Sequence, residues 1–217
     1  MRRLSVSFIL QRFVFINLLL ASLFSSRFSL AAPPAISLTE QDIKDLNKVE
    51  EYFNNIQTLQ ANFSQYTKSG MSAGTIYIRR PNQMRVEYNP PVPVLIVASG
   101  RLVSYYDKEL NQLTEAPLSS TPLGLILAQP FSLQKGTTIT KIAHSPQELQ
   151  VILYQSDQPD AGLLELVFTT TPFQIKYWRV IDSANRGTQV VISNIKLNNP
   201  LSNNLFTRPS KTENDTR

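Results

Sequence analysis

Apolar positions recur at three- and four-residue spacing through Ile43, Leu46, Val49, Phe53 and Ile56, which predicts one amphipathic helix over about residues 40–56. Thr39 is a good N-cap for it, and Asp42 holds the acidic position of a capping box. The period then changes to two. Residues 59–67 open a series of strands; 75–80 alternate and stop at Pro81; 84–88 alternate and stop at Pro90-Pro91. Further strands are expected at 92–98, 102–107 and 110–115, with turns at Ser99-Gly100 and Lys108. The series breaks at 117–131. There Thr121 can cap, Pro122 suits the first helical position, and Leu123, Leu125, Ile126 and Leu127 form a short apolar helix ending before Pro130. Strands resume at about 138–144, 148–155, 162–169, 173–182 and 188–197. About eleven strands at this spacing make an antiparallel meander, with one helix before it and one inserted.

Composition narrows the setting. The 217 residues suit one domain, and no internal repeat or low-complexity linker divides them. Apolar residues at 42% allow a sizeable core. The formal charge of +5 misleads, because residues 1–31 hold four of the 21 Lys and Arg and no acid. That stretch has the parts of a cleavable export signal: Arg2, Arg3 and Arg12, an apolar run from Phe13 to Phe24, and small residues at Ser29-Leu30-Ala31. The run is short for a bilayer span, although an uncleaved anchor is the alternative. Without residues 1–31 the count is 17 basic against 16 acidic, and the case for a nucleic-acid partner falls away. The expected plan is a signal peptide at 1–31, one domain at 32–209 and a polar, disordered tail at 210–217.

Catalytic chemistry finds little material. There is no Cys and one His, which excludes thiolate metal sites and thiol nucleophiles and makes a His-centred metal site improbable. His144 reads as a surface-turn histidine before Ser145-Pro146. No nucleophile elbow, phosphate loop or dinucleotide fingerprint occurs. Glu50 and Glu51 are adjacent on a helix and diverge, so they make no dyad. No catalytic residue, metal or cofactor is expected. Strand alternation is more informative: Ile76, Ile78 and Arg80 share one face, and Met84, Val86 and Tyr88 share one face of the next strand. Arg80 either splays to solvent at the strand end or points into an apolar face. In the second case it needs acceptors, and carbonyls at the C-terminal end of a covering helix are suitable ones.

The ordered set of segments carries a resemblance. It comprises Leu59-Gln-Ala-Asn-Phe-Ser-Gln65, Gly74 through Arg79-Arg80-Pro81 to Met84-Arg-Val-Glu-Tyr88, Leu95-Ile-Val97, Tyr105-Tyr106-Asp107, Thr121-Pro-Leu-Gly-Leu-Ile-Leu127 and Asn198-Asn-Pro-Leu201. Together these resemble the periplasmic outer-membrane lipoprotein carrier family, LolA, from about residue 43 to 209. The resemblance implies an unclosed antiparallel half-barrel of about eleven strands covered by short helices, mainly β with a helical lid. It implies a monomeric periplasmic carrier rather than an enzyme. Such a carrier takes acylated lipoproteins from an ATP-driven release complex in the inner membrane. It delivers them to an outer-membrane receptor or to the membrane itself. A related lipid or glycolipid carrier, or an envelope-stress sensor on the same half-barrel, is the alternative. On this resemblance Arg80 matches the family's cavity arginine. The expected lipid-binding cavity is Ile76, Ile78, Arg80, Met84, Val86, Tyr88, Leu95 and Val97, and the expected lid is Val49, Phe53, Leu123, Ile126 and Leu127. Each aliphatic position could equally be ordinary core. The loop from Glu115 to Thr121 and the tail beyond Pro209 are shorter than in longer members of the family.

Overall fold

A computed structural model describes residues 33–182 and 184–210. The expected signal segment, and all of the expected tail except Ser210, lie outside the described residues. Helix α1 (Glu40–Asn54) begins with a capping box: Thr39 Oγ1 accepts from the Asp42 N–H, and the Asp42 carboxylate accepts from the Thr39 N–H. Its apolar stripe buries Leu46, Val49 and Phe53.

Eleven strands follow: β1 (Thr58–Thr67), β2 (Gly70–Arg79), β3 (Gln83–Tyr88), β4 (Val94–Ser99), β5 (Leu102–Asp107) and β6 (Gln112–Pro117), then β7 (Thr137–His144), β8 (Glu148–Gln155), β9 (Leu163–Thr170), β10 (Phe173–Ile181) and β11 (Gly187–Leu197). They form one antiparallel sheet in the order β6-β5-β4-β3-β2-β1-β11-β10-β9-β8-β7. Two meanders are thus sewn together where the first strand meets the last, Leu59 opposite Leu197 and Phe63 opposite Ile192. The end strands β6 and β7 do not pair with each other, so the sheet is an unclosed half-barrel. Helix α2 (Pro122–Leu127) lies in the connection between the meanders, and the two helices cover the inner face.

Most boundaries fall where the turn residues put them. Three strands begin elsewhere, β4 among them at Val94 rather than 92. β2 starts at Gly70 rather than 75, because the hairpin at Lys68-Ser69 lets Gly70 pair directly with Thr67. The segment Gly70-Met-Ser-Ala-Gly74 has one large apolar side chain, Met71, which is exposed, and so carries no readable alternation. β6 starts at Gln112, because Asp107 Oδ1 accepts from the N–H groups of Glu109 and Leu110 at 2.9 Å each and prolongs the turn. Thr121 sits at the N-cap of α2, yet its hydroxyl donates back to the Leu118 carbonyl at 2.8 Å and caps nothing ahead of it. Pro122 has no N–H to offer there.

The chain after β11 crosses the back of the sheet as a strap. Asn198 ties to Gln57 and Thr58, Arg79 donates to Asn203 Oδ1 at 2.6 Å, and Arg85 donates to the Leu205 carbonyl at 3.2 Å. Phe206 is buried with the Arg79 guanidinium 4.5 Å over its ring, and Arg208 pairs with Glu115 of β6.

Candidate functional site

Register decides which side chains meet beneath the lid. Ile76, Val86, Ile96 and Tyr105 stand opposite one another across β2 to β5 in one row. Ile78, Met84, Ala98 and Val103 form the next row toward Arg80. From the other meander, Trp178 stands opposite Val190, and Val180 opposite Thr188. Between these walls lies an apolar cavity of about 130 Å³. Of the residues expected there, Ile76, Met84, Val86 and Tyr88 line it, and Leu123 of α2 roofs it. Ile78 shares the face but is packed in the adjoining core. Val49 and Phe53 of α1 and Ile126 and Leu127 of α2 form the buried inner side of the lid, packed in that same core.

Leu95 and Val97 are not in the cavity. They face the back of the sheet, where they cluster with Tyr106. Every position from Val94 to Ala98 is apolar, so alternation along β4 cannot tell one face from the other; pairing with β3 does, placing Ile96 beside Val86 and Val97 beside Arg85. Sequence reasoning therefore missed Ile96. It also missed Phe63, Gln65, Tyr105, Trp178 and Val190, all of which line the cavity. The alternation Phe63-Ser64-Gln65 in β1 and Trp178-Arg179-Val180 in β10 was the available signal.

Arg80 follows the last residue of β2 and is only 6% exposed. Its Nη2 donates to the carbonyl of Ile126, and its Nη1 donates to the carbonyl of Ala128 at 3.3 Å. The neighbouring Asn82 N–H donates to the Leu127 carbonyl at 3.1 Å. Three successive carbonyls at the end of α2, which have no partners within the helix, are satisfied from the sheet. The guanidinium carbon also lies 5.3 Å from the Phe53 ring centre and 5.7 Å from that of Phe131, within cation–π range. Burial lowers the Arg80 pKa to about 10, which leaves it charged at neutral pH.

The lid is tied together as a unit. Asn54 of α1 exchanges two hydrogen bonds with the backbone of Phe131, at 2.9 and 2.8 Å. Glu50 accepts from the Leu133 N–H at 2.6 Å and the Ser132 hydroxyl at 3.1 Å. Its partner is the loop after α2, not another acid. At the other end of α1, His144 keeps the exposed strand-end place expected of it and has partners there. It ends β7, and its ring nitrogens lie 2.9 Å from Asp42 Oδ1 and 2.9 Å from Asp45 Oδ2. Two carboxylates one helical turn apart on α1 were readable; that β7 would end beneath them was not. At the cavity edge the Tyr88 hydroxyl donates to Gln65 Oε1 at 2.7 Å, and burial raises the pKa of that phenol. The arrangement is an apolar hollow under a helical cover, fastened at one end by a buried guanidinium.

Residues 54–209 match the family of the outer membrane lipoprotein carrier protein LolA, and the chain belongs to that family. Among its relatives, a protein of Coxiella burnetii named outer-membrane lipoprotein carrier protein is 28% identical over 177 residues, covering 76% of this chain and 82% of the relative. One of Dechloromonas aromatica with the same name is 28% identical over 163 residues, covering 70% and 77%. A solved LolA superfamily protein from Nitrosomonas europaea aligns with a TM-score of 0.46 at 13% identity, over 79% of this chain and 99% of that one.

Proposed function

We propose that the chain is a periplasmic carrier that holds the acyl chains of lipoproteins released from the inner membrane and delivers them to the outer membrane. Export would remove the segment at 1–31, leaving the domain at 32–209. The cargo would come from an ATP-driven release complex and pass to an outer-membrane receptor or directly to that membrane. Binding, not chemistry, is the activity.

The observation that carries this reading is the apolar cavity between Ile76, Val86 and Trp178 on the sheet and Leu123 on the lid, with Arg80 fastening the lid at one end. Each methylene withdrawn from water contributes about 0.8 kcal/mol, so a chain of about fifteen needs on the order of 12 kcal/mol of apolar cover. The closed hollow is too small for that. A cavity of roughly 150 Å³ holds one benzene ring, and this one measures about 130 Å³. Cargo must therefore displace the lid, and whatever favours the closed state favours release. The two Arg80 bonds exist only when α2 is seated, so they oppose loading and assist delivery.

The test is mass spectrometry of the protein purified gently from periplasm. A lipid-modified polypeptide in stoichiometric association is the expected result. A protein free of acylated polypeptide under conditions that preserve other periplasmic complexes contradicts the proposal.

A further inference from the structure

Most of the cavity wall is hydrocarbon, but toward the end far from Arg80 it carries an amide. Gln65 of β1 lines the cavity, stands opposite Val190 of β11 and is 7% exposed. It shares the inner face of β1 with Phe63, Ala61 and Leu59, which lead about 20 Å back toward the Arg80 end. The Arg80 N–H donates to the Gln57 carbonyl at 2.9 Å, just before β1 begins, so Arg80 and Gln65 mark opposite ends of the trough.

The amide is held in a fixed orientation. In register, Gly74 of β2 stands between Phe63 of β1 and Tyr88 of β3. With no side chain in between, the two rings meet edge to face with centres 5.1 Å apart. The Tyr88 hydroxyl reaches across the glycine and donates to Gln65 Oε1 at 2.7 Å. That bond uses the acceptor end of the carboxamide and leaves its two N–H donors. Gln65 Nε2 has no hydrogen-bond partner among the described residues. The neighbouring Thr67 hydroxyl is engaged in its own hairpin, donating to the Gly70 carbonyl and accepting from the Ser69 N–H at 3.2 Å each. A buried amide donor in an apolar cavity is costly until an acceptor arrives, and a guest can bring one.

We propose that Gln65 donates through Nε2 to the carbonyl oxygen at the head of a guest's acyl chain, an ester or amide oxygen, and so selects acyl over alkyl ether guests and sets their direction in the trough. The head of the chain lies at the Gln65 end, and its hydrocarbon runs toward Arg80. An uncharged donor suits an uncharged acceptor that has left water, because each replaces the partner that water supplied. The contact uses side-chain atoms of the inner face alone. This rests on the cavity being an acyl site.

The experiment compares monolauroylglycerol, an ester, with monododecylglycerol, the ether of the same chain length without the carbonyl, by calorimetric titration of the protein purified from periplasm. The ester should bind roughly fivefold more tightly, the size of one net hydrogen bond. Gln65→Met keeps the length of the side chain and removes the amide, so it should bind the two lipids equally, with affinity for the ether little changed. The double variant Gln65→Met with Tyr88→Phe removes both ends of the bond between them. It should show the same equality, and it serves where the single variant folds poorly. Equal affinity for the two lipids in the wild-type protein, or an ester preference that survives in the variants, overturns the carbonyl contact while leaving the acyl cavity intact. Failure of both lipids to bind the wild-type protein overturns the acyl cavity and this inference with it.

Discussion

The Arg80 guanidinium donates to the Ile126 carbonyl across the seam between sheet and lid. With the second bond to Ala128, it joins the end of β2 to the end of α2. Hydrogen bonds to charged groups contribute about 1.5–3 kcal/mol each. Arg80→Leu removes both and leaves apolar volume in their place. We predict an apparent affinity for acyl ligand at least about tenfold tighter, because less of the protein is held in the closed state. Transfer to acceptor membranes should slow correspondingly. Transfer kinetics with a labelled acyl probe check this, and unchanged transfer would retire the latch while leaving the cavity in place.

The two faces of β4 can be told apart by substitution. Ile96→Ser places a hydroxyl in the cavity wall and should weaken acyl binding severalfold with a modest loss of stability. Leu95→Ser, one residue away, should lower thermal stability by about 1–3 kcal/mol and leave probe affinity alone. Paired binding and unfolding measurements check the assignment.

Gly74 permits the close approach of β2 and β3. A Cβ there would lie 1.9 Å from the Glu87 carbonyl oxygen and 2.8 Å from the Phe63 ring. A backbone atom cannot swing away as a side chain can. Gly74→Ala should therefore destabilise by about 3 kcal/mol or more, visible as an early denaturant midpoint.

Asp42 links α1 to β7 and makes stability depend on acid. Hydrogen bonds from the Thr39 side chain and backbone, then from His144, lower its pKa from 3.8 to about 2. A carboxyl whose pKa is depressed on folding stabilises the fold above its unfolded value, and that contribution disappears as pH falls through the folded one. The stability gap between the wild-type protein and Asp42→Ala should narrow between about pH 4 and pH 2. Thermal unfolding across that range checks it; a gap constant to pH 2 contradicts it.

Much of this architecture was legible before any coordinates. Pro81, Pro90-Pro91, Gly100 and the Asn185 to Gly187 turn punctuate the strands strongly enough to fix their number. The capping box at Thr39 and Asp42 was readable because its partners are three residues apart. What failed was information carried by distant pairing. β4 is apolar on both faces, so only its register with β3 could turn Leu95 and Val97 outward. The meeting of His144 with Asp42 and Asp45 spans about a hundred residues and leaves no local trace. The strap after β11 falls within the expected domain, but nothing local shows that Arg79 and Arg85 fasten it to the back of the sheet with Phe206 buried there.

The chain's single tryptophan, Trp178, lines the cavity at 8% exposure and reports on its contents. Titration of the protein with a lipopeptide carrying brominated acyl chains measures occupancy directly, because bromine quenches only at short range. The carrier account predicts saturable quenching that an unlabelled acylated peptide reverses. Binding without any change at Trp178, or no binding, would contradict it.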